Sequence, residues 1–119
     1  METGKTYRAL LILSIALGLA GCNRQSKPEP VQIQVTAHRY GFEPAAIHVR
    51  KGQEVTLAIS TSDVQHGFAV KELGIDEPIQ PGKPALVTFK ADKAGEYPVE
   101  CSIICGPGHD RMQGKIIVE

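Results

Sequence analysis

The sequence predicts a small all-β sandwich. Several short segments alternate apolar and polar residues, which is the pattern of a strand with one buried face. The 119 residues include 12 Gly and 8 Pro but no Trp, and this supply of turn formers suits many short strands better than a helical bundle. Outside an apolar N-terminal segment, no stretch carries the i, i+3, i+4, i+7 apolar spacing of an amphipathic helix.

The N-terminal segment is predicted to direct export and not to join the fold. Two basic residues precede an apolar run at residues 9–21, which is too short to span a hydrocarbon core of about 30 Å as a helix. The run ends at Leu19-Ala20-Gly21-Cys22, which resembles the lipobox of bacterial lipoproteins. We therefore expect residues 1–21 to be a lipoprotein signal peptide and Cys22 to carry the lipid. The alternative is an uncleaved anchor followed by an incidental cysteine.

Residues 22–30 are polar, contain two prolines and show no periodicity, so they are predicted to form a flexible tether to a domain at residues 31–119. The 13 Lys and Arg of the chain balance its 13 Asp and Glu, which argues against a general nucleic-acid binder. The sequence also lacks a Ser-His-Asp pattern, a phosphate-binding glycine loop and a catalytic carboxylate pair, so a hydrolase or kinase is excluded.

Within the domain, the alternation predicts seven strands in order. The first pattern, in which Val31, Ile33 and Val35 alternate with polar residues, is interrupted at residues 40–44. Turn signals at Gly52, at Pro81-Gly82 and at Gly95 separate later segments. The predicted strands are residues 31–38, 47–49, 55–59, 68–70, 85–89, 97–101 and 115–118.

The chemistry is concentrated between Cys101 and Met112. This segment contains two thiols (Cys101 and Cys105), an imidazole (His109) and a thioether (Met112), a soft donor set that favours copper over calcium or magnesium. Two thiolates are able to bridge two metal ions, so the spacing fits a binuclear copper cluster. Such a cluster needs a further ligand from outside the loop, and a sandwich would bring His66 to the same pole.

Simpler interpretations of these residues stay open. Cys101 and Cys105 would also suit a disulfide in an oxidising compartment, and Met112 alone would suit core packing. His66 alone is equally consistent with a structural histidine. His38 and His48 have no partners at metal-ligand spacing and are interpreted as surface strand residues.

Residues 31–119 resemble the CuA-binding cupredoxin domain of cytochrome c oxidase subunit II, in the short form found in minimal oxidases. The matching motifs are Phe42-x-Pro44, Gly52, Asp63-Val64-x-His66-x-Phe68, Pro81-Gly82, Gly95-x-Tyr97, the segment from Cys101 to Met112, and Gly114-x-Ile116-x-Val118. The resemblance implies a cupredoxin-like Greek-key β-sandwich that holds two copper ions. By position, the implied ligands are His66, Cys101, the backbone carbonyl of Ile103, Cys105, His109 and Met112.

The resemblance further implies electron transfer from a c-type cytochrome, as donor, to subunit I of a terminal oxidase. The domain would not be catalytic alone, although it would suit a subunit of a cytochrome c oxidase. Together with the lipobox, it implies an exported protein, lipid-anchored at the periplasmic or extracytoplasmic face of the membrane. A copper chaperone or copper-storage lipoprotein with the same ligands is the alternative.

Three features depart from the family pattern. A lipobox stands where subunit II normally has a transmembrane helix, and Ile103 is apolar where many members have an acid or amide. The chain also lacks the tryptophan through which electrons enter many relatives, and Tyr40 and Phe42 are candidate substitutes. An acidic group, Glu72, Asp76 and Glu77, is either a solvated loop or a docking patch for a basic cytochrome.

Overall fold

The computed structural model describes Gly21 and residues 26–119. The predicted signal peptide, apart from its last residue, and the predicted lipidation site Cys22 lie outside the described residues. Within the described part of the chain, no helix is long and apolar enough to cross a membrane.

The described residues confirm the all-β prediction. Nine strands account for most of residues 31–119, and the two helical elements described are single 3₁₀ turns at Lys71–Leu73 and His109–Arg111. The strands are β1 (Val31–His38), β2 (Gly41–Glu43), β3 (Ala46–Val49), β4 (Glu54–Thr61), β5 (His66–Val70), β6 (Ile75–Ile79), β7 (Ala85–Lys90), β8 (Gly95–Glu100) and β9 (Gln113–Val118).

Two short strands were not predicted, and their composition explains why. β2 has three residues and lies where the alternation breaks, so the sequence shows no strand pattern there. β6 includes Asp76, Glu77 and Pro78, which are all unfavourable in strands, but it lies at a sheet edge, where proline is tolerated. The acidic group is therefore not a loop, because Glu72 lies in the first 3₁₀ turn and the other two acids lie in β6.

The strands form two sheets, with the orders β2-β1-β4-β7 and β3-β9-β8-β5-β6. Strands that are neighbours in the sheets are often distant in sequence, so the chain crosses repeatedly between the sheets, as in a Greek-key sandwich. The inward faces enclose the core, where Phe42 and Phe68 meet edge to face with ring centroids 5.5 Å apart. Other fully buried core residues are Val35, Val55, Leu57, Ile59, Val70, Ile79, Val99 and Ile116.

Strand register brings three connections to one end of the sandwich, which we call the loop pole. β1 and β4 are parallel, with Ala37 opposite Thr61, so the β1–β2 turn lies beside the β4–β5 loop. β5 and β8 are antiparallel, with Ala69 opposite Glu100, so the start of β5 lies beside the end of β8. The β8–β9 loop, residues 101–112, therefore meets both of the other connections at this pole.

Candidate metal centre

His66 opens β5 at the loop pole, and its side chain is completely buried. Its Nε2 lies 2.7 Å from Oδ1 of Asp63, and its Nδ1 lies 3.9 Å from Sγ of Cys101. An ionised carboxylate can only accept hydrogen bonds, so Nε2 carries the proton and donates it to Asp63. Nδ1 is the nitrogen that faces the thiol, and in the neutral imidazole it keeps its lone pair, which is the arrangement in which a carboxylate orients a metal-binding histidine.

The Asp63 carboxylate stays ionised to a lower pH than an ordinary aspartate because several donors surround it. Partial burial alone would raise its pKa, but hydrogen bonds from His66 and from the backbone N–H groups of Arg39 and Val64 outweigh burial and hold the pKa well below its usual range. The donor to acceptor distances are 2.7 Å from the Arg39 nitrogen and 2.6 Å from the Val64 nitrogen. Asp63 thus fixes the orientation of His66.

The β8–β9 loop supplies the other sequence-predicted site residues. The Sγ atoms of Cys101 and Cys105 are 3.8 Å apart, both residues are buried, and neither is in a disulfide. His109 Nδ1 and Met112 Sδ each lie 3.8 Å from Sγ of Cys105. The Ile103 carbonyl oxygen lies 3.1 Å from Sγ of Cys101. All six predicted groups thus converge, including His66.

The loop takes this shape because of its backbone hydrogen bonds. The N–H of Cys101 donates to the carbonyl of Met112, which closes the base of the loop. A 3₁₀ turn at His109–Arg111 follows, in which the N–H of Met112 donates to the carbonyl of His109. This turn directs the His109 and Met112 side chains to the same sulfur atom, that of Cys105.

The donor set suits copper. The ligand atoms of His66, Cys101 and Cys105 all lie within 4.8 Å of one another, and these three residues are buried. Burial and the adjacent Cys101 thiol raise the pKa of Cys105, so this thiol is protonated at neutral pH in the metal-free protein and must release its proton when it binds a metal. Two sulfurs, each with an imidazole nitrogen 3.8 to 3.9 Å away, suit a soft metal such as copper better than a hard cation.

Three contacts around the site were not predicted from the sequence. The Arg39 guanidinium donates to the Cys105 carbonyl, the Gly67 N–H donates to Sγ of Cys101, and Ser102 donates to Asp76. The hydrogen bond between Asp63 and His66 could have been predicted, because in the motif Asp63-Val64-x-His66 the carboxylate lies three residues before the histidine. Nothing in the sequence indicates the other three contacts.

The two remaining histidines lie in strands, as predicted. His48 is exposed on β3, and its Nδ1 lies 3.7 Å from a carboxylate oxygen of Glu119. His38 ends β1, and its Nδ1 contacts the carbonyl of Arg39. In the described residues, neither histidine is within hydrogen-bond distance of the two thiols.

Comparison with protein-family models matches residues 9–118 to the cupredoxin-like domain. The chain belongs to this family. Two cytochrome c oxidase subunit 2 sequences from Thermus thermophilus are each 35% identical to this cupredoxin over 95 residues. These alignments cover 80% of this chain and 70% and 56% of the two relatives. The cupredoxin is therefore homologous to cytochrome c oxidase subunit II.

Solved structures agree with this relationship. A chain of a heme-copper terminal oxidase dimer is 31% identical to this cupredoxin, with a TM-score of 0.69 over 74% of this chain and 64% of that one. The periplasmic domain of subunit II of cytochrome oxidase from Bradyrhizobium japonicum has a TM-score of 0.70 over 75% of this chain and 83% of that one. At 21% identity, the second match shows the shared fold alone. The similarity to oxidase subunits supports a role in electron transfer.

Proposed function

We propose that this cupredoxin is an electron-transfer domain with a binuclear copper centre of the CuA type. The proposed ligands are Cys101 and Cys105 as bridging thiolates, His66 and His109 as terminal imidazoles, and Met112 and the Ile103 carbonyl as weaker ligands. The observation that carries the proposal is the pair of buried sulfurs 3.8 Å apart. The imidazole of His66 lies 3.9 Å from one sulfur, and that of His109 lies 3.8 Å from the other.

The bound copper pair would supply one-electron redox chemistry shared over two metal ions. The chain contributes a fixed environment for it. Asp63 orients His66, and the bond between Cys101 and Met112 closes the loop. Burial of both cysteines limits access of water and oxidants to the sulfurs. Because these contacts hold the donors in place, little rearrangement has to accompany each electron transfer.

The proposed donor is a c-type cytochrome and the proposed acceptor is subunit I of a terminal oxidase. Two surface features support docking at the loop pole. Ile104, in the ligand loop, is 84% exposed, which provides an apolar contact beside the site. Asp76 and Glu77 in β6 add negative charge near this loop, since Asp76 accepts a hydrogen bond from Ser102, and negative charge would speed the approach of a basic cytochrome.

Electron acceptance is tested by mixing copper-loaded domain with a reduced c-type cytochrome and following cytochrome oxidation by stopped-flow absorbance. We expect one cytochrome to be oxidised per copper pair, and no oxidation with the metal-free domain as control. After a terminal oxidase and oxygen are added, the oxidase should take electrons from the reduced copper domain, so that the domain oxidises further cytochrome. A cytochrome that stays reduced in the presence of the loaded domain contradicts the proposal.

One observation favours the alternative, a copper chaperone or storage protein. An open cleft of about 190 Å³ is lined by Cys101, His109 and Met112 together with the acidic residues Glu100 and Asp110. Such a cleft would suit exchange of copper with a partner. Adding a copper-acceptor protein to the same mixing experiment separates the two functions, because a chaperone would lose copper to the acceptor and leave the cytochrome reduced.

We also propose that residues 1–21 are removed as a signal peptide, that residues 22–30 form a tether and that Cys22 carries a lipid. The domain at residues 31–119 would then be held at the extracytoplasmic face of the membrane. Support comes from the lipobox and from the start of β1 at Val31. Lipoprotein cysteines carry more than one acyl chain, and one chain alone anchors only marginally.

Replacing Cys22 by Ser is expected to abolish lipid attachment and to leave the precursor unprocessed. The mass of the N-terminal peptide measures both effects, and membrane fractionation shows where the protein lies. Ser26→Ala is a matched control, because it changes the tether but not the lipobox. Membrane retention with normal processing in Cys22→Ser would contradict the assignment.

A further inference from the structure

Arg39, in the turn between β1 and β2, contacts both segments that carry the proposed ligands. Its backbone N–H donates to Oδ2 of Asp63 at 2.7 Å, while Oδ1 of the same carboxylate accepts from His66. Its guanidinium Nε donates to the Cys105 carbonyl oxygen at 2.8 Å. One residue therefore joins the β4–β5 loop to the β8–β9 loop, two segments far apart in sequence.

The neighbouring residue strengthens this connection. The Tyr40 side chain packs directly against Gly106 and Gly108, because a Cβ atom on Gly106 would overlap its hydroxyl and one on Gly108 would overlap its ring. The β1–β2 turn thus covers the half of the ligand loop that carries Cys105 and His109. Removing the Arg39 side chain would leave Tyr40 in place, so the two contributions can be measured separately.

We propose that Arg39 is a positioning residue that fixes Cys105 relative to His66 and places a permanent positive charge beside Cys105. This inference rests on the proposed copper centre. An arginine bond to a carbonyl is charge-assisted and directional, and a guanidinium stays protonated at any physiological pH. Among the described residues, no carboxylate lies within ion-pair distance of this guanidinium, so no direct partner neutralises its charge.

The two roles have separable consequences. Without the guanidinium, the Cys105 backbone loses its anchor to the β1–β2 turn, and residues 101–112 should open more often. The reduced centre holds one more electron than the oxidised centre, so a nearby positive charge favours reduction and its loss lowers the reduction potential. Lysine keeps the positive charge but lacks the planar guanidinium group. Arg39→Lys should therefore keep the reduction potential close to that of the parent, while it holds the Cys105 backbone less firmly.

The test compares Arg39→Met, Arg39→Lys and the matched control Arg50→Met. Arg50 is exposed in the turn after β3, at the end of the sandwich opposite the loop pole, so its loss removes the same charge far from the site. Two readouts are needed: amide hydrogen exchange of residues 101–112 in the metal-free protein, and the reduction potential of the copper-loaded protein.

In Arg39→Met we expect loop exchange to be at least about tenfold faster, and the ratio of reduced to oxidised centre to fall about tenfold at a fixed applied potential. For one electron, that second change corresponds to ~59 mV. Arg39→Lys should show faster exchange with a smaller fall in potential, and Arg50→Met should match the parent in both readouts.

Parent-like loop exchange in Arg39→Met overturns the positioning role, and a parent-like potential in the same variant overturns the electrostatic role. If Arg39→Met unfolds as a whole, Arg39→Lys decides, and parent-like exchange in that variant overturns the proposal. The hydrogen-exchange measurement needs no copper. If the parent protein fails to bind two copper ions, the proposed function is wrong, but the exchange measurement still tests whether Arg39 positions the loop.

Discussion

Replacement of Cys101 or Cys105 by serine is expected to abolish the binuclear copper centre. Serine is nearly isosteric with cysteine, but a neutral hydroxyl is a hard, weak donor and does not bridge two copper ions as a thiolate does. Both sulfurs are buried and 3.8 Å apart, so no other described side chain can take over the bridging position without moving the loop. The copper content per chain, measured by elemental analysis, should fall from the two ions expected in the parent to one or none.

Met112→Leu is the matched comparison for the cysteine variants. Leucine keeps most of the buried volume of Met112, which is 1% exposed, and such exchanges usually cost less than about 1.5 kcal/mol. A thioether is a weak ligand that adjusts the potential more than it holds the metal. We therefore expect two copper ions per chain with a shifted potential. Equal copper loss in all three variants would contradict this ranking of the ligands.

Gly67→Ala is expected to have the second largest effect, because Gly67 lies directly under the ligand loop. A Cβ atom there would overlap Oγ of Ser102 and would lie 2.9 Å from the Ser102 nitrogen and 3.0 Å from the Ile103 nitrogen. Backbone contacts this close cannot be relieved by a rotamer change, so the loop must move. The Gly67 N–H would then lose its contact with Sγ of Cys101, which is 3.5 Å long in the parent.

We expect Gly67→Ala to lower the free energy of unfolding of the metal-free protein by about 1–3 kcal/mol, the usual cost of overpacking. Copper affinity should fall as well, because the loop shift separates Cys101 from His66. Urea denaturation and a competitive copper titration measure the two effects. The control is Gly41→Ala, where a Cβ would approach only the movable ring of His38. Similar losses in both variants would show that the ligand loop is not the cause.

Much of the fold could be predicted because its strands have one buried face. β1 and β4 show clean alternation, and both were predicted within a few residues of their observed bounds. The convergence of His66 with the loop cysteines also followed from general reasoning, since a sandwich brings alternate connections to one pole. The observed register of β5 against β8 has this effect.

Other features depend on three-dimensional contacts that the sequence does not encode locally. The hydrogen bond from Arg39 to the Cys105 carbonyl could not be predicted without knowing that the turn between β1 and β2 covers the loop between β8 and β9. Gly67 carries no turn signal, because its role comes from close packing and not from backbone conformation. β6 was missed because Asp76, Glu77 and Pro78 interrupt its apolar pattern, and its pairing with β5 is visible only in the structure.

The most direct test of the central claim is the electron paramagnetic resonance spectrum of the domain after reconstitution with copper, recorded together with the copper content. One unpaired electron shared equally by two copper nuclei gives a seven-line hyperfine pattern, and the account predicts this pattern with two copper ions per chain and a purple colour. A four-line spectrum from a single copper ion, or a colourless protein with one Cu(I) per chain, would contradict it.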